Sequence, residues 1–85
     1  MPRALHAEWR TVGDADRGHA IAEWRDRQLR LTALGCHYWV FEVASERGRF
    51  LEFTEAHDAG TLLDSRAQAG CPIPGASILN EVEMT

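Results

Sequence analysis

The chain contains no lysine, only two cysteines and no long hydrophobic run in its 85 residues. Its nine basic residues are all arginine, set against 13 acidic ones for a formal net charge of −4 with histidine neutral. No basic cluster alternates with aromatics, so the electrostatic footprint of a nucleic-acid binder is missing. Cys36 and Cys71 stand alone, with no CxxC pair and no histidines gathered around them, which leaves no disulfide framework. The four histidines, His6, His19, His37 and His57, show no short ligand spacing, so no metal site is expected. No run approaches the ~20 apolar residues of a membrane span, and Met1-Pro2-Arg3-Ala4-Leu5-His6 lacks the apolar centre of a secretion signal. The expectation is a soluble cytoplasmic protein with no membrane or nucleic-acid partner. Internal repeats and low-complexity tracts are also lacking.

What the chain does have is large apolar side chains. Hydrophobic residues make up 45%, including three Trp and three Phe. Residues 1–85 suffice for a single domain, and one this small buries only about 60–65% of the surface its unfolded chain exposes. That is more greasy surface than such a core readily hides, so self-association or an apolar pocket is expected.

The periodicities give the element order. Ala4–Thr11 alternates Leu5, Ala7 and Trp9 against His6, Glu8 and Arg10, the two-residue period of a strand with one buried face. Asp14 or Asp16 can cap a helix beginning near Ala15. In that helix Ala20, Ile21, Trp24, Gln28 and Leu31 share a face, while Glu23–Arg27 and Asp26–Arg30 form surface pairs. Gly35 suits its left-handed end.

Cys36–Val43 is rich in aromatic and β-branched residues, and Arg49–Glu55 alternates apolar with polar. The short polar link Ala44–Gly48 folds the two back as an antiparallel hairpin. Asp58 caps a short helix over 59–68 with Leu62 and Leu63 inward. Gly70–Gly75, with two prolines, is a loop. Ile78–Met84 reads as a last strand.

Strand, helix, strand, strand, helix, strand is the βαββαβ order of an α+β, ferredoxin-like fold: a four-stranded antiparallel sheet with two helices on one face. The other face is left bare. A second copy covers it most simply, giving a homodimer through the sheet faces.

With this order in place, Gly35-Cys36 before an aromatic strand containing Trp39, then Gly48-Arg49-Phe50, an acidic helix start at Asp58 and Leu62 resemble the antibiotic biosynthesis monooxygenase family, of the dimeric α+β barrels. The resemblance implies a pocket between helices and sheet in which a polycyclic phenol is oxidised by O₂ without metal or flavin. The protein would supply an apolar cavity, stacking aromatics and donors that favour the ionised substrate. The chain has Thr54-Glu55-Ala56 where members often carry Glu-x-Trp, and its second helix is short. A non-catalytic dimer that binds a ligand or a protein is therefore the alternative. The Asn of the haem-degrading relatives has no counterpart in the first strand.

Under the first reading His37 and Trp39 are the catalytic candidates, His37 as a proton acceptor beside an aromatic substrate. Trp9, Trp24, Phe41 and His57 are the substrate-binding candidates, their rings forming pocket walls. Against these stand plainer roles: core packing for the three Trp, an interface position for His37, a solvated turn for His57. His37 shares a strand face with Trp39 and Phe41, while Tyr38 lies opposite with Cys36, Val40 and Glu42. His6 and His19 read as surface positions, Cys36 as a small buried hydrophobe, and Glu52 and Glu55 as part of a charged strand edge.

Overall fold

Strand β1 (Ala4–Thr11) leads through a 3-10 turn (Asp14–Asp16) into α1 (Arg17–Ala33) in a computed structural model that describes residues 3–84. There follow β2 (His37–Glu42), β3 (Arg49–Ala56), α2 (Ala59–Gln68), a second 3-10 turn (Gly75–Ser77) and β4 (Leu79–Asn80). Met1 and Pro2, part of the segment read above for a secretion signal, lie outside the described residues, as does Thr85. The strands form one antiparallel sheet in the order β2-β3-β1-β4. This is the ferredoxin-like α+β fold expected from the element order. Among the described residues no helix is long and apolar enough to cross a membrane.

Local chemistry explains the element ends. Each helix stops at a Gly-Cys pair. Cys36 N–H donates to Leu31 O and Gly35 N–H to Thr32 O, with Gly35 at φ +85. Cys71 N–H donates to Arg66 O and Gly70 N–H to Ala67 O, with Gly70 at φ +80. Each is the double bond that satisfies the last carbonyls of a helix around a left-handed glycine. Asp58 caps α2 as expected, accepting from Thr61 N–H at 2.7 Å. The expected carboxylate cap of α1 is absent, because Asp14 accepts from Arg47 Nε at 2.9 Å instead and Asp16 makes no capping bond. The Glu23–Arg27 and Asp26–Arg30 pairs both form, at 3.2 and 3.0 Å.

The hairpin turns at Gly48, whose φ of +86 and position against β1 exclude a side chain. A Cβ there would stand 2.6 Å from Val12 O. Gly48 O accepts from Val12 N–H at 2.8 Å, tying the hairpin to the end of β1.

Two further expectations need correction. The last strand is not Ile78–Met84 but the two residues Leu79 and Asn80, which pair with Leu5 and Ala4. That register brings β4 to the start of β1 at once. Glu81 N–H still reaches Arg3 O at 2.8 Å, and Val82 and Met84 beyond it are exposed.

The second correction concerns which face is buried. In β1 the helices cover His6, not Leu5, Ala7 and Trp9. In β3 they cover Phe50, Glu52, Thr54 and Ala56, leaving Leu51 and Phe53 half-buried on the other side. The alternation is present, but much of its apolar series points away from the helices. The core beneath them consists of Ala4, Val12, Ala20, Trp24, Leu31, Cys36, Tyr38, Phe50, Ala56, Leu62 and Ala69.

Candidate ligand cleft

The polar residues under the helices are held by one another. Tyr38 on β2 and Glu52 on β3 both face α1, and the Tyr38 hydroxyl donates a short hydrogen bond to Glu52 Oε1. Arg27, one turn beyond Glu23 on α1, donates to the same oxygen at 2.6 Å and to Glu23 at 3.2 Å. Burial, and then donation to Glu52, push the Tyr38 phenol far above its ordinary pKa. Glu52 is thus a paired residue of a central strand rather than part of a charged edge.

Beside this network, α1 and the edge strand β2 leave an open cleft of about 370 Å³, at the small end of ligand-site volumes. Its floor and walls include Trp24, Phe50, Tyr38, Val40 and Ile21, with Gln28, Arg17, Arg25 and Glu42 at the polar positions. The helix spacing that put Ile21, Trp24 and Gln28 on one face brings them here. Trp24 and Phe50 meet with centroids 4.8 Å apart and planes tilted by 57°. The Trp24 Nε1–H is buried and has no hydrogen-bond partner among the described residues. Gln28 Nε2 donates to Tyr38 O at 3.0 Å and fixes α1 to β2.

A bidentate ion pair closes one end. Arg17 Nη1 and Nη2 donate to the two Glu42 oxygens at 2.7 and 2.8 Å, and Gly48 N–H adds a bond of 2.9 Å. Arg17 first, and then the Gly48 amide, hold Glu42 down to a pKa of about 2. The Arg17 guanidinium also lies 5.3 Å over the Phe50 ring.

The opposite sheet face has no helix over it. The strand registers arrange it in rows: Leu79, Leu5, Glu55 and His37; then Ala7, Phe53 and Trp39; then Trp9, Leu51 and Phe41. Trp39 stacks on Phe53 at 5.7 Å, Phe41 meets Phe53 edge-on at the same distance, and His37 meets Trp39 edge-on at 6.5 Å. Trp9 and Phe41 are each 54% exposed. Arg49 lies 4.4 Å over the Trp9 ring. His37 Nδ1 is 3.4 Å from Glu55, which also holds Arg3 at 3.3 Å.

The structure therefore divides the candidate residues read from the sequence. Trp24 lines the cleft and Trp39 borders it from the edge strand. His37, Phe41 and Trp9 belong to the open face, across the sheet from Tyr38. His57 is an exposed turn residue before α2, with Nε2 2.9 Å from Asp58. His6 is not a surface residue but is buried beneath the helices. Phe50, Tyr38, Gln28, Arg17 and Glu42 were not singled out as cleft residues, although the face shared by Tyr38, Val40 and Glu42 was legible. Arg66, buried on α2, carries no signal in a helix pattern that reads Leu62 and Leu63 as the inward pair.

Comparison with protein-family models, with curated proteins and with solved structures finds no match to this chain.

Proposed function

We propose that the chain is a homodimeric small-molecule-binding module, built on the plan of the antibiotic biosynthesis monooxygenase-like dimeric barrels, that takes a flat aromatic molecule in the cleft between α1 and β2. The observation that carries the ligand is the Trp24 indole. It forms a cleft wall against Phe50 while its buried N–H has no partner among the described residues. A phenolic or quinone oxygen would satisfy that donor, and the ring attached to it would lie on aromatic walls. The dimer is supported by the outward-pointing series Leu5, Trp9, Leu51, Phe53 and Phe41, which a second copy would take out of water.

Binding without turnover is the better supported form of this reading. Of the acidic groups in the cleft, Glu42 is already ionised and held by Arg17, while Tyr38 keeps its proton. Neither has a pKa near neutrality, where a general base works best. Titration of the intrinsic tryptophan fluorescence with a hydroxylated anthracene is expected to saturate at one ligand per subunit, with no O₂ uptake. Loss of the quenching in Trp24→Phe supports the site. Unchanged quenching in that variant overturns it.

One contact favours a catalytic reading instead. The His37–Glu55 pair lies against Trp39, and face-to-face sheets would enclose it as a proton acceptor. O₂ uptake with the same phenol, abolished in His37→Ala, would establish that reading. Uptake that survives the change would remove it.

A further inference from the structure

Arg66 is a buried guanidinium without a counter-ion among the described residues. It is 3% exposed, and its hydrogen bond within the protein runs from Nη1 to Thr54 Oγ1 at 3.1 Å. Its Nε–H is buried with no partner, and it makes no ion pair among the described residues. A cation taken out of water is costly unless an anion and hydrogen bonds compensate for it. Its buried neighbours supply little compensation. His6 lies opposite Thr54 on β1, and burial, reinforced by the Arg66 charge, pushes it towards the neutral form.

Arg66 also lines a second cleft, of about 320 Å³, with Arg10, Arg27, Glu8, Glu52, Cys71 and Pro72. Two of the nearby carboxylates are placed on the other two arginines. Glu52 holds Arg27 at 2.6 Å, and Glu23 spans Arg27 and Arg10 at 3.2 and 3.4 Å. With Nη1 committed to Thr54, the Nε–Nη2 edge remains, the edge that grips a planar carboxylate or a phosphate with two parallel bonds.

We propose that this second cleft is an oxyanion site, in which a small molecule bearing a carboxylate or phosphate binds Arg66 through its free edge, with Arg10 at the outer wall. The site is separate from the aromatic cleft and does not depend on the function proposed for it. Glu8, exposed at the same cleft, opposes an anion there and sets its selectivity against highly charged ligands.

The test compares inorganic phosphate, acetate and chloride at equal ionic strength on the full chain. It reads the thermal midpoint and the rate at which N-ethylmaleimide modifies Cys71, the half-buried thiol of the cleft; Cys36 is buried. Phosphate or acetate is expected to raise the midpoint and slow the modification where chloride does not. Whichever of the two acts identifies the oxyanion. Arg66→Met should weaken the effect by about tenfold or more, since a charged hydrogen-bond partner is lost. Glu8→Gln should strengthen it. Should Arg66→Met fail to fold, Arg10→Gln replaces it, with the same direction of effect. Identical behaviour in all three salts overturns the proposal, as does an effect undiminished in the arginine variant that folds.

Discussion

Tyr38 is the one tyrosine of the chain, so its ionisation can be followed without assignment. It is 4% exposed and donates to the Glu52 carboxylate. Burial and that bond raise its pKa above the ordinary value of 10.0. The folded state therefore keeps the phenol proton while the unfolded chain releases it. The stability linked to this group is whole below about pH 10 and falls as pH rises. Above pH 10 the slope approaches about 1.4 kcal/mol per pH unit, for a total loss of about 2.7 kcal/mol by about pH 12.

Two measurements check this. In an alkaline spectrophotometric titration, the tyrosinate absorbance should appear together with the loss of circular dichroism rather than ahead of it. In Tyr38→Phe, the denaturation free energy at neutral pH should fall by about 1.5–3 kcal/mol, the range for a hydrogen bond to a charged group. Its decline above pH 10 should then be shallower than that of the unmodified chain by the slope given above. Tyrosinate forming near its ordinary pKa in a chain that is still folded would refute the reasoning. So would equal alkaline slopes in the two proteins.

Glu42 gives the mirror image at acid pH. Its pKa of about 2, against 4.5 for a free side chain, means that the stability it contributes is present above about pH 4.5 and lost as pH falls towards 2. Glu42→Gln should flatten that part of an acid-unfolding curve followed by circular dichroism, and an unchanged curve would count against the Arg17 clamp. Phe41→Arg places a charge on the open sheet face, and sedimentation should show the proposed dimer reduced to a monomer with its fold intact; a mass the same as the parent's would refute that interface. Leu62→Ala, at a fully buried position of α2, should cost about 2–5 kcal/mol in urea denaturation. Gly48→Ala should cost more than about 1 kcal/mol in the same assay, because its φ is positive and the new Cβ meets Val12 O.

The element order was legible because its signals are local. The two-residue period of Ala4–Thr11, the spacing of Ala20, Trp24 and Leu31, the glycine at position 35 and the Asp58 cap each depend on neighbours within a few residues. What the period of a strand does not carry is which of its two series faces the helices. Buried apolar and exposed polar is the usual answer, and in β1 and much of β3 this chain gives the reverse. The reason is long-range pairing. Glu52 finds Tyr38 and Arg27 at sequence separations of 14 and 25, and Thr54 finds Arg66 at 12. Arg27 and Arg66 reach their mates from helices, and Tyr38 meets Glu52 diagonally across the hairpin rather than opposite it, so no local pattern announces these pairs. For the same reason His6 reads as a surface residue.

The two sheet faces are linked by this choice. A strand one residue out of register would send Leu51 and Phe53 under the helices and Glu52 and Thr54 to solvent. The observed register instead keeps Glu52, Thr54 and His6 inside, where an unpaired polar group would be costly. It leaves Trp9, Leu51, Phe53 and Phe41 outside, where a lone subunit gains little from them. The arrangement is economical only if both sides are covered. On the helix side the cover is the network of Tyr38, Arg27 and Arg66; on the other side it is the second copy proposed above. Disrupting one side should then have different consequences from disrupting the other. Loss of Tyr38 or Leu62 should weaken the subunit itself, whereas a charge at Phe41 should separate the subunits of the proposed dimer and leave them folded, because that row lies on the sheet face away from the helix-side core.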